Sequence, residues 1–236
     1  MPTSTAATAN HEAQENPALL HHFATEQQQR DAASLGMWVF LVTEVMFFGG
    51  LFCAYLVYRL WYFADFGAAS TSLSLFWGTI NTAVLICSSL TVALAVRSAQ
   101  IGKQKAIVLY LILTLILGLA FLGVKGKEYK DKFDEHHIPG QASFHLEGHI
   151  PRHPDVTVNQ QHAQIYFSLY FAMTGMHALH MIIGVGLFAF LTYKAWNGTY
   201  QPGYYTPLEN GGLYWHFVDI VWIYLFPLLY LIDRHP

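Results

Sequence analysis

Charge is scarce in this chain. Only 11% of its 236 residues are Asp, Glu, Lys or Arg, against roughly 25% in soluble domains. The deficit means that much of the surface faces lipid or other apolar protein. Net charge is -3, so the bulk basic character of a nucleic-acid binder is missing and no nucleic acid is expected as a partner. Cysteine is scarce too. Cys53 and Cys87 both lie in apolar runs without pair spacing, read as small core residues that say nothing about redox compartment. The polar residues 1–34 hold no apolar core of signal-peptide length, so no cleavage is expected and the first membrane helix directs insertion. Phosphate loops, nucleophile elbows, zinc-protease motifs and dinucleotide fingerprints are absent. The pattern is that of a scaffold rather than a self-contained enzyme.

What is present is hydrophobicity, at 54% of residues, with 16% aromatic. Five segments reach the roughly 20 apolar residues that a membrane span needs. They run from about Leu35 to Leu60, Leu73 to Val96, Ala106 to Val124, Ala163 to Tyr193 and Gly212 to Ile232. Backbone in lipid must bond to itself, so each is expected to be a helix. The expected fold is an all-α membrane bundle over residues 35–232, after a polar tail of residues 1–34. A long polar loop, residues 125–162, separates the third and fourth spans. Aromatic clusters such as Trp61-Tyr62-Phe63 and Tyr214-Trp215 read as interfacial belts. Small residues at Gly49-Gly50, Ser88-Ser89 and Gly184/Gly186 would let helices approach closely. The spans are dissimilar, so an inverted-repeat transporter is not supported. Five spans put the termini on opposite sides. Lys and Arg divide five to seven, counting Lys125, Lys127, Lys130 and Lys132 with the loop, which leaves orientation undecided.

Few polar groups sit at membrane depth: Glu44, Asn81, Thr82, Thr174, His177, His180, His216 and Asp219. Glu44 is the most expensive, because hydrocarbon cannot solvate its charge. It must be protonated, paired or turned into protein. It could shuttle protons, with Asn81, Thr82 and ordered water extending the path, or it could simply bond across a helix interface. His177 and His180 lie three apart on one face, so one haem could not take both, although His177 opposite His216 is geometrically conceivable. A di-metal bundle site needs about four carboxylates, and only Glu44 and Asp219 lie at depth. His216 and Asp219 are also three apart and share a face, which suits an interhelical polar clamp. The loop histidines His136, His137, His145, His149, His153 and His162 match no zinc spacing. No metal site is expected.

The order of these groups resembles a known family. Gly36-Met37-Trp38-Val39-Phe40 leading to Glu44-Val45-Met46-Phe47-Phe48 resembles the third helix of haem-copper oxidase subunit III. Asn81-Thr82 resembles the Asn-Thr start of that family's next helix, and Glu128-Tyr129, after the third span, resembles the family's Glu-Tyr ending. Thr174-Gly175-Met176-His177-Ala178-Leu179-His180 is similar to its Thr-Gly-x-His-x-x-His motif. Tyr214-Trp215-His216-Phe217-Val218-Asp219-Ile220-Val221-Trp222 is similar to its Trp-His-Phe-Val-Asp-x-Val-Trp signature.

The resemblance implies an accessory subunit of a bacterial terminal oxidase of aa3 or caa3 type, one that reduces oxygen to water and pumps protons. Such a subunit holds no haem or copper, which belong to partner subunits. It packs against subunit I, binds phospholipid and helps sustain proton uptake. Glu44 matches the family's carbodiimide-reactive carboxyl. Asn81, Thr82, Glu128, Thr174, His177, His180, Trp215, His216 and Asp219 are the implied intramembrane polar contacts or lipid-cleft residues. Implied partners are subunits I and II, with a small subunit IV left open. A cytochrome c donor or a respiratory supercomplex could touch the loop at 125–162. The implied location is the bacterial cytoplasmic membrane, N-terminus cytoplasmic and C-terminus periplasmic. The likeness starts at the third helix of the seven-helix form, so the short bacterial type is expected, with another subunit supplying the missing cleft wall. A quinol oxidase subunit, or a homologue associated with nitric oxide reductase, shares these helices. A stand-alone membrane metal-binding or transport protein is the competing reading from a different class.

Overall fold

The computed structural model describes residues 23–134, 139, 146, 149–150, 153–200 and 204–232. The N-terminal tail up to residue 22, and His136, His137 and His145, lie outside the described residues. Among those described are six helices: α1 (Glu26–Trp61), α2 (Phe63–Thr71), α3 (Leu75–Gln100), α4 (Gln104–Asp134), α5 (Gln160–Trp196) and α6 (Thr206–Tyr230). A two-stranded antiparallel ribbon, β1 (His149–Ile150) with β2 (His153–Thr157), sits between α4 and α5. All of the helices except α2 are long and apolar enough to cross a membrane. The chain is a five-span, all-α membrane protein.

Local chemistry sets the helix ends. The Thr25 side chain accepts from the Gln28 N–H at 3.2 Å and starts α1, and the Asn159 side chain accepts from Gln161 N–H at 3.0 Å and starts α5. Gly102 and Gly198 follow α3 and α5 with φ of 76° and 74°. Each closes its helix the same way: Lys103 N–H reaches Ser98 C=O, and Thr199 N–H reaches Lys194 C=O. A side chain at either glycine would strain this left-handed turn.

Helix α4 overruns its apolar run by ten residues and carries Lys125, Glu128 and Lys132 with it. Those residues were expected in the loop. Their side chains are buried at 3%, 7% and 4% exposure; Lys125 pairs with Glu128 and Lys132 donates to the Ser72 carbonyl at 2.9 Å, so these charges are met inside the protein and do not end the helix. Lys125 and Lys132 are therefore not loop charges for the purpose of orientation. Short α2 was not foreseen. Its Asp65 carboxylate accepts from Asn159 N–H and lies 2.6 Å from His162 Nδ1, pinning α2 to the start of α5. The Tyr62 ring stacks on His162 at 3.7 Å.

Helices α3, α4, α5 and α6 pack in a closed ring, and α1 lies outside it against α5 and α6. Trp215 of α6 is the knob of the ring. It is fully buried, donates from Nε1 to Ser88 Oγ at 3.0 Å, and presses on Gly118 of α4 and Gly184 of α5. The close approach foreseen at Gly184 is therefore present. A Cβ added at Gly49, Gly50 or Gly186 would meet nothing within 4 Å among the described residues, so no close helix approach is made there.

The end of α6 solves a second problem. Terminal carbonyls of a helix lack intrahelical donors. Here Tyr55 of α1 donates to Leu228 C=O at 2.6 Å, Tyr166 of α5 to Leu229 C=O at 2.8 Å, and Ser70 of α2 to Ile232 C=O at 3.0 Å. Three elements are thus fastened to one helix end. Two predictions follow from this packing. Gly118→Ala, whose new Cβ would sit 2.8 Å from Trp215, costs roughly 1–3 kcal/mol and lowers the thermal midpoint in detergent. Gly49→Ala leaves that midpoint unchanged.

Candidate functional site: polar groups at membrane depth

Glu44 lies at the middle of α1 and faces α5. Its Oε2 is 3.1 Å from His180 Nε2. The other ring nitrogen, Nδ1, is 2.8 Å from the Met176 carbonyl, one turn earlier in α5. A carbonyl only accepts, so Nδ1 carries a proton. One further proton then sits between Nε2 and Oε2. Either a protonated Glu44 donates to a neutral imidazole, or an imidazolium donates to a carboxylate. Both arrangements are neutral as a pair, as the apolar depth requires. Tyr214 braces the site by donating to the His180 backbone carbonyl at 2.9 Å. With the Tyr55 hydroxyl, this pair ties α1 to α5 and α6.

A second cluster sits where α4, α5 and α6 meet. Lys125 donates its three protons to Glu128 Oε2 (3.1 Å), Tyr230 OH (2.9 Å) and Tyr170 OH (3.3 Å). Tyr170 and Tyr230 both donate in turn to Glu128 Oε1. Every ammonium proton and both carboxylate oxygens are thereby used. Next to it, Thr174 gives its proton to Tyr170 C=O at 2.6 Å and accepts from Tyr129 OH at 2.6 Å. Lys125 escaped the sequence reading because it was counted with the loop. The available signal was its three-residue spacing from Glu128, which puts both on one helical face.

None of the remaining groups bonds directly to Glu44 among the described residues. Thr82 donates to Gly78 C=O and accepts from Trp222 Nε1 at 3.1 Å. Asn81 and His177 are fully buried with no hydrogen-bond partner among the described residues. The His177 ring packs against Phe121 and Trp222, with centroids 5.6 and 5.3 Å away, and those two rings also meet each other at 4.8 Å. His216 and Asp219 share a face of α6 but do not bond to each other. His216 Nδ1 instead meets Ser89 Oγ of α3 at 2.7 Å. Both Asp219 oxygens lack a hydrogen-bond partner among the described residues. Ser89 lies beside that carboxyl without bonding geometry. No group of three or more His, Cys, Asp or Glu able to hold a metal ion occurs among the described residues.

Fold and site together define a helical membrane subunit whose polar residues join helices. The chain matches the family "Cytochrome c oxidase subunit III" over residues 19–134 and 157–233, and it belongs to that family. It is 34% identical over 202 residues to a probable cytochrome c oxidase subunit 3 of Mycobacterium leprae, covering 84% of this chain and 87% of the relative. It is 30% identical over 209 residues to cytochrome c oxidase subunit 3 of Thermostichus vulcanus, covering 86% and 89%. The cytochrome bo(3) ubiquinol oxidase subunit 3 of Pseudomonas aeruginosa is 28% identical over 196 residues, covering 83% of each chain. Family membership places this chain as a subunit of a respiratory oxidase complex, among partner oxidase subunits.

The Lys125 cluster and the Glu44 pair generate separate tests. Glu128→Gln strands the buried Lys125 charge and costs about 3–5 kcal/mol, read as a lower thermal midpoint. The double variant Lys125→Met/Glu128→Gln recovers most of that loss. In Glu44→Gln, His180 is neutral with its proton on Nδ1, because no carboxylate remains to balance an imidazolium at this depth and the amide N–H can donate to Nε2. Solid-state ¹⁵N NMR of histidine-labelled protein at pH 7 checks this; an imidazolium signal from His180 in the variant contradicts it.

Proposed function

We propose that this chain is the accessory subunit III of a bacterial aa3- or caa3-type cytochrome c oxidase. In this reading it steadies the complex, binds phospholipid and supports proton uptake during oxygen reduction coupled to proton pumping. Haem and copper are carried by subunits I and II; a small subunit IV completes the set in this reading. The N-terminus faces the cytoplasm and the C-terminus the periplasm, which leaves the 135–159 segment outside, where subunit II, a cytochrome c or a supercomplex neighbour can reach it.

The observation that carries the proton-supply part is the Glu44–His180 pair. A single proton shared by two groups at an interhelical seam can be exchanged without moving net charge into lipid. Glu44 is about one-fifth exposed at its side chain and His180 about one-tenth, so the pair borders the helix surface rather than the centre of the ring. Asn81, Thr82, Glu128, Thr174, His177, Trp215, His216 and Asp219 serve in this reading as intramembrane contacts that shape the subunit and its lipid-facing surface.

A quinol oxidase subunit III is the second reading, favoured by the similarity to the Pseudomonas aeruginosa ubiquinol oxidase subunit. The donor is decided on other subunits. Isolation of the chain in mild detergent, with its partners, distinguishes the two. A haem a band in the reduced-minus-oxidised spectrum, with oxygen uptake from reduced cytochrome c, is the expected result. Haem b with quinol-driven uptake transfers the assignment to the quinol enzyme. A haem-free chain with stoichiometric metal returns it to a metal-binding or transport protein. In the assembled oxidase, Glu44→Gln is expected to retain full assembly and initial rate but to lose activity faster during sustained turnover. Superimposable decay curves for variant and wild type would end the proton-supply role.

A further inference from the structure

Helices α1 and α3 both pack on α6 but not on each other among the described residues. They leave a groove with α6 as its floor. Two adjoining cavities of about 500 and 380 Å³ lie along it. Val45 and Gly49 of α1 form one wall, Ile86 and Leu90 of α3 the other, and His216 and Ile220 line both cavities. An added Cβ at Gly49 or Gly50 would meet nothing within 4 Å among the described residues. The α1 wall is therefore flush enough for a helix backbone to approach closely.

The floor carries a polar group that lacks donors. Asp219 is 3% exposed, and neither of its oxygens is bonded among the described residues. An ionised carboxylate accepts only, and even a protonated one leaves lone pairs unmet. The nearby Ser89 has one proton, and its oxygen is engaged with His216. An unmet carboxyl at such a place is costly. It is also far from any headgroup, since at 1.5 Å per residue Asp219 lies roughly 17–20 Å from either end of α6. An acyl chain filling the groove would bring no donor. A membrane helix can present a hydroxyl, amide or guanidinium side chain at that depth.

We propose that the α1–α3 groove receives a transmembrane helix of a partner oxidase subunit, whose hydrogen-bond donor meets the Ser89–His216–Asp219 group. This rests on the oxidase-subunit reading given above. Asp219 is nearly enclosed, so the incoming donor meets His216 first. Engagement of His216 frees the Ser89 hydroxyl to turn to Asp219. The polar group thereby sets the depth and register of the docked helix, and the apolar walls supply its packing.

The test uses the full complex in native membranes. A benzoylphenylalanine probe replaces Ile220, which is 51% exposed on the groove floor. The expected product after irradiation is a crosslink to a partner subunit, identified by mass spectrometry. Adding Asp219→Leu is expected to lower that yield roughly threefold to tenfold, while Asp219→Asn, which keeps a carbonyl acceptor, lowers it less. Lipid adducts only, a crosslinked pair of this chain only, or an undiminished yield in Asp219→Leu would overturn the proposal. Where those results come from a chain that still co-purifies with haem-bearing subunits, the groove assignment alone is lost. Failure to co-purify strikes the oxidase-subunit reading itself.

Discussion

Hydrocarbon offers neither a donor nor an acceptor, and the cross-helix contacts of this protein are arranged around that deficiency. The exposed carbonyls at the end of α6 draw hydroxyls from three other elements, through Tyr55, Tyr166 and Ser70. The indole N–H groups of Trp215 and Trp222 find Ser88 and Thr82 on α3. Lys125 spends its three protons on Glu128, Tyr170 and Tyr230, and Glu128 accepts from Lys125 on one oxygen and from both tyrosines on the other. In water each of these bonds would be worth little net; in lipid, leaving any one unmade costs the desolvation of the stranded group. Polar satisfaction therefore fixes the register of neighbouring helices more sharply than apolar packing alone, because lipid tails are as apolar as leucine.

The same rule separates a rigid part from a looser one. The ring of α3 to α6 closes on itself around Trp215, with glycines on two neighbours shaped to its indole. Helix α1 stands outside that ring and is largely lipid-facing, with 17% of its apolar window buried against 56% for α6. Its polar ties include the Glu44–His180 pair and the Tyr55 hydroxyl. The depth of Glu44, obvious in the primary structure, thus goes with a structural role in holding the peripheral helix to α5.

Where satisfaction fails, position decides what the failure means. His177 is enclosed among the helices against Phe121 and Trp222, which also touch each other, so its neighbours are aromatic rings. Asp219 lies at the edge of the ring, beside a groove with an unfilled wall. An enclosed group can be served only by rearrangement or water, whereas an edge group can be completed by a neighbouring subunit.

Hydropathy alone determined the five spans and the all-α class, because roughly 20 apolar residues in lipid have only one intrachain way to bond their backbone. The motif residues around Glu44, Thr174 to His180 and Trp215 to Asp219 determined the family, since their order and spacing are readable without contacts. Composition could not reveal that α4 continues to Asp134, since the Lys125–Glu128 pair that seemed to end it is enclosed by hydrogen bonds to Tyr170 and Tyr230, 45 and 105 residues away from Lys125. Nor could helical spacing show that His216 turns to Ser89 and leaves Asp219 alone. A shared face brings two side chains near each other, but the partner each one takes depends on the crossing of a second helix. The pairing of Glu44 with His180, 136 residues apart, belongs to the tertiary structure for the same reason: depth made a partner obligatory, and only the packing of α1 on α5 chose which one.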